Sequence, residues 1–188
     1  MRSLISLVVI ALILLIGCGG SESQDRLIVG DESFAGMPNP GTLAQAIDLF
    51  GRPDQLYSPD PEAIVACSAV WDEVGFTARF MNYRAIGESG VPCQPASQYT
   101  LSGAMLRGDW VTDRGLRVGD SADDLVSTYH LTEHTRCYNP TTGSAVAWTI
   151  DEVPDHLGGP GAMLCTLGAI VSHRRVTGFV LSNLSASE

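Results

Sequence analysis

The pattern that most limits the fold of this chain occurs twice. Thr42 is followed three residues on by Gln45, and Ser121 three residues on by Asp124. A hydroxyl residue with a side-chain acceptor at that spacing satisfies two of the orphan amides that open a helix. Behind Thr42, Leu43, Ala46, Ile47 and Phe50 recur at i, i+3, i+4 and i+7, which is one helix face. Behind Ser121, Ala122, Leu125, Val126 and Tyr129 take the same places, shifted by 79 residues. Gly51 and Pro53 stop the first helix, because Gly tolerates the turn past a helix end and Pro cannot continue it. Asp120, Asp123 and Asp124 lie at the positive end of the second helix dipole. A solvated helix start explains those aspartates better than a calcium loop, which needs alternating ligands and a distal bidentate Glu.

After each helix the text changes to strand. Ile64 to Trp71, Phe76 to Phe80 and Tyr99 to Leu106 are strand candidates in the first half, with a turn over Asp72 to Gly75. In the second half, Val146, Trp148 and Ile150 alternate with polar or small residues. Met163 to Val171 is nearly continuous, as in a central strand, and Arg175 to Leu181 closes the pattern. Ser102 to Leu106 parallels Thr177 to Leu181 at an offset of 75. Gaps between strands are too short for crossover helices, so pairing is antiparallel. The fold class is therefore α+β: two tandem copies of a short helix followed by antiparallel strands. Leu27 to Val29 adds a possible short strand to a lead-in broken by Gly36, Pro38, Pro40 and Gly41. Gly87 to Pro95 and Pro154 to Gly161 read as loops.

Upstream, Arg2 is the only charge before Glu22, and Leu4 to Ile16 is an unbroken run of apolar and small residues. That is a short positive region and an apolar core of secretory-signal length. It falls short of the roughly 20 apolar residues that span a bilayer. Leu15, Ile16, Gly17 and Cys18 resemble the lipobox of bacterial lipoproteins, with Ile16 where a small residue is often found. The resemblance implies a diacylglyceryl thioether on Cys18 and cleavage before it. Two or three acyl chains anchor stably where one is marginal. Gly19 to Gln24 supplies a polar tether. Gly19, rather than Asp, after the acceptor implies the outer membrane in a two-membrane bacterium. The alternative is the outer face of the plasma membrane.

Four cysteines remain: Cys67, Cys93, Cys137 and Cys165. An even number in an exported chain reads as disulfides. Short separations favour Cys67 with Cys93 and Cys137 with Cys165. No CxxC spacing points to zinc. The chain has 11 basic residues, all arginine, against 21 acidic ones. Without residues 1–17 the balance is ten against 21, a net −11. That excludes the basic stripe of a nucleic-acid binder and docking on anionic headgroups through the domain surface. The 45% apolar fraction is that of a folded chain.

Gly41, Thr42, Ile47, Phe50, Gly51, Arg52, Pro53 and Asp54 resemble the helix motif of small outer-membrane assembly lipoproteins of the SmpA/OmlA type. Gly119, Asp120, Ser121, Leu125 and Tyr129 resemble a second opening of it. Tandem copies of such a unit are similar in architecture to the β-lactamase-inhibitor protein. The resemblance implies binding or assembly with an envelope protein partner, without catalysis.

His130, Glu133 and His134 spell H-x-x-E-H, an inverted zinc-peptidase order. It falls where the second helix ends, and no further long helix can deliver a third ligand. Serine-nucleophile and phosphate-loop patterns are absent. Arg174 and Arg175, beside His173, read as a solvated turn, and Trp71 and Trp148 as core. Trp110 is either a packing residue at a hinge or an exposed anchor.

The reading is thus a signal peptide over 1–17, a lipidated cysteine and tether over 18–41, and helix-plus-sheet units over 42–108 and 109–188. The function expected is a lipid-anchored cell-envelope protein with a non-catalytic binding domain and no cofactor, catalytic or metal site. The alternatives are a metal-dependent hydrolase using His130 and His134, and a small-ligand carrier or sensor with an enclosed apolar cavity.

Overall fold

Thr42 and Ser121 each open a helix. Helix α1 runs Leu43–Phe50, where the Gln45 amide donates to Thr42 Oγ1 (3.2 Å) and the Thr42 amide to Gln45 Oε1 (2.8 Å). Helix α2 runs Ala122–Tyr129, with the same reciprocal pair between Ser121 and Asp124, both at 3.0 Å. Gly51, at φ 79°, ends the first helix. His130, at φ 52°, ends the second in the left-handed region. The structure, a computed structural model, describes residues 28–30, 33–38, 40–59, 65–82, 84, 93–131, 136–138, 146–154 and 163–182.

Twelve strands are seen among these residues. They are β1 (Ile28–Val29), β2 (Ser33–Phe34), β3 (Met37–Pro38), β4 (Gln55–Tyr57), β5 (Ala66–Trp71) and β6 (Phe76–Met81), followed by β7 (Thr100–Leu106), β8 (Val111–Thr112), β9 (Arg136–Tyr138), β10 (Val146–Pro154), β11 (Met163–Ser172) and β12 (Arg175–Ser182). Among the described residues the chain is α+β, with two α-helices and a mostly antiparallel strand framework. Eight strands form one sheet in the order β4-β5-β6-β7-β12-β11-β10-β9. Its middle is the antiparallel pair β7 and β12, in which Phe179 lies opposite Leu106 and Leu181 opposite Ala104. A small second sheet, β3-β2-β1-β8, contains one parallel pair, β1 with β8.

Each helix start is tied to the beginning of one of the two central strands. The Leu43 amide donates to Tyr99 O (2.9 Å) and the Ala122 amide to Arg174 O (2.9 Å). In the reverse direction, the Leu101 amide donates to Gly41 O (2.7 Å) and the Val176 amide to Asp120 O (2.9 Å). The helix-side atoms of these matched bonds are 79 residues apart (122 − 43) and the strand-side atoms 75 apart (174 − 99).

Alternation divides the large sheet into two faces. Cys67, Ala69 and Trp71 of β5 and Phe76, Ala78 and Phe80 of β6 are buried, and they share one core with Leu43, Ala46 and Leu125 of the helices. Phe76 stacks on Trp71 at 5.0 Å and meets Phe34 and Phe50 at 5.2 and 5.3 Å. Trp71 gives its indole N–H to Gly51 O (2.8 Å), which locks the end of α1 to β5. Trp110, undecided from sequence, is fully buried and donates to Val74 O (2.7 Å). Tryptophan can be buried at this depth because its one polar atom finds an acceptor. Trp148 is half-buried against the same core.

The lead-in requires a correction. Val29, Phe34 and Met37 are buried in the core, so the packed domain starts upstream of the boundary drawn at residue 42. The tether reading of 18–41 holds at most for residues before 28, which lie outside the described residues.

Candidate functional site

The face of the large sheet turned away from the helices carries the intervening residues. On β5 these are Ser68 and Val70, on β6 Thr77, Arg79 and Met81, and on β7 Thr100, Ser102 and Met105, all partly buried, and the same face continues into the buried Val180 and Ser182 of β12. Arg79 is the only charged residue in β5, β6 and β7. It lies opposite Ser68 on β5 and Gly103 on β7, and Gly103 lies opposite Ser182 on β12. The guanidinium therefore has a small residue or none on each neighbouring strand.

The local backbone is bulged at this point. Arg79 pairs with Gly103 but Phe80 with Leu101, so Ser102 is an extra residue in β7. The Ser102 hydroxyl donates to Arg79 O (3.0 Å), which fixes the bulge against β6. Bulges bend a strand and re-aim its side chains, often beside binding sites. Arg79 Nε is buried and has no hydrogen-bond partner. An arginine donor closed to water and unpaired is uncommon, since burial of a charged group ordinarily requires a partner.

Elsewhere the candidates separate. Cys67 and Cys93 are bridged, with Cα atoms 5.5 Å apart. Cys137 is on β9 and Cys165 on β11, and their side chains lie outside the described residues. So does Cys18. His130 is exposed at the left-handed C-cap of α2, so the chain leaves the helix there. Glu133 and His134 lie outside the described residues, among which no cluster of three metal-binding side chains occurs. Asp123 pairs with Arg174 at 3.1 Å, both side chains 79% exposed. Such a pair contributes little. Asp120 Oδ2 accepts from the Arg117 amide (2.7 Å) and Arg175 donates to Gly119 O (2.7 Å), so these groups serve the turn before α2. Asp124 is held below the ordinary aspartate range by the Ser121 hydroxyl and amide.

The space between sheet and helices is occupied by the aromatic core. A depression of about 410 Å³ instead opens at the β5–β6 turn, where Asp72, Glu73, Arg107 and Asp109 contribute to its lining. Near α2, the buried Tyr129 hydroxyl lies beside Thr112 and Asp113 without a well-formed hydrogen bond to either, and Arg114 sits 5.0 Å over the Tyr129 ring. Burial holds that phenol above its ordinary range, against opposing pulls from Thr112 and Arg114.

Among the described residues no helix is long and apolar enough to cross a membrane. Comparison with protein-family models, with curated proteins and with solved structures finds no match.

Proposed function

We propose that this chain is a lipid-anchored protein of the bacterial cell envelope whose α+β domain binds another protein without catalysis. The signal-like run before Cys18 supports the anchor. The observation that carries the binding role is the side of β5, β6 and β7 opposite the core they share with the helices. Within β5, β6 and β7 it carries one charged residue, Arg79, whose Nε is buried without a partner. That pattern suits an interface core, where charge is depleted and arginine enriched. We propose further that the domain consists of two tandem units, α1 with β4 to β7 and α2 with β9 to β12. The matched helix-to-strand hydrogen bonds at offsets of 79 and 75 support the repeat. The sheet order, running outward from β7 and β12, supports it as well. Cys137 with Cys165 is proposed as the second bridge on the even number of cysteines left in an exported chain.

The test is made on protein extracted from membranes. Intact mass should show an acylated Cys18 at the new terminus. Crosslinking in intact cells should join the domain to one envelope protein, which should capture it in return. An unmodified Cys18 would remove the anchor. Stoichiometric zinc, lost on His134→Ala, would replace a binding module with a metalloenzyme.

A further inference from the structure

We draw no further inference here: the strongest candidate, the outer edge of the eight-stranded sheet at β4, where Leu56 and Tyr57 are 44% and 48% exposed, carries nothing because no feature among the described residues shows what covers it.

Discussion

The Cys67–Cys93 bridge is the covalent element whose effect can be worked out. It closes a loop of 26 residues in sequence separation. Restricting a loop of that size in the unfolded chain is worth about 3.5 kcal/mol at 25 °C in the chain-entropy model. Both sulfurs are buried, with Cys67 fully enclosed on β5 opposite Phe80. Replacing both by alanine therefore removes the crosslink and a little packing while adding no polar group. The double variant Cys67→Ala, Cys93→Ala should lose about 3–4 kcal/mol. In a domain of this size that lowers the melting temperature by roughly 10 °C. Urea unfolding followed by tryptophan fluorescence reads the change, since Trp71 and Trp110 are both in the core. The slope of the transition should rise slightly, because an unlinked chain exposes more surface when unfolded. A midpoint within about 0.5 kcal/mol of the parent would refute the reasoning. It would mean that the unfolded chain is already held together across this loop.

Other outcomes follow from single contacts. A Cβ on Gly75, at φ 62°, would sit 2.0 Å from Arg107 O, whereas one on Gly108, at φ 84°, meets nothing within 4 Å. Gly75→Ala should cost roughly 2–4 kcal/mol and Gly108→Ala about 1, so the difference in thermal unfolding isolates the clash. Tyr129→Phe removes a buried hydroxyl without a well-formed hydrogen bond and should be neutral or stabilising by up to about 1 kcal/mol. The raised Tyr129 pKa means that the folded state keeps a proton the unfolded state releases. Stability should therefore decline as pH rises beyond the ordinary phenol range, and less so in Tyr129→Phe. The depressed Asp124 pKa has the opposite sign. Its contribution is present above the ordinary aspartate range and lost as pH falls through the lower folded value. Amide protection, relative to the intrinsic exchange rate at each pH, should therefore fall in acid at the start of α2 but not at that of α1, where Gln45 does not titrate.

Some of this was legible because the physics is local. A capping box is decided by two residues, and both predicted boxes form. The β6 alternation, the turn at Asp72–Gly75 and the long apolar run that became β11 are also local, and each lies where periodicity puts it. Strands β4 and β9 left no trace, because three residues cannot display a period. Phe34 and Met37 were missed as core because each stands alone among Gly and Pro, and only the tertiary fold buries them. Arg79 was invisible for a different reason. In sequence it is one polar residue in an alternating strand. Its singularity comes from the register of β5 and β7 and from the Ser102 bulge, which are properties of pairing across 11 to 24 residues.

On the proposed repeat, the cysteine offsets of 70 and 72 do not mark equivalent positions. Cys67 lies on the second strand of its unit, whereas Cys137 lies on the first strand of the other. Cys93 precedes the fourth strand, whereas Cys165 lies within the third. The units also differ in how they reach their last strands. The first uses residues 82–99, 18 in all, between β6 and β7, and the second only residues 173–174 between β11 and β12. His173 and Arg174 both have positive φ, as a two-residue hairpin turn requires. Closing a connection of 18 residues rather than two costs about 2 kcal/mol more in loop entropy. The Cys67–Cys93 bridge divides that long connection, and its contribution of about 3.5 kcal/mol more than offsets that cost. A covalent link is therefore needed in the first unit, where the connection is long, and not at the matching point of the second, where a tight turn performs the closure.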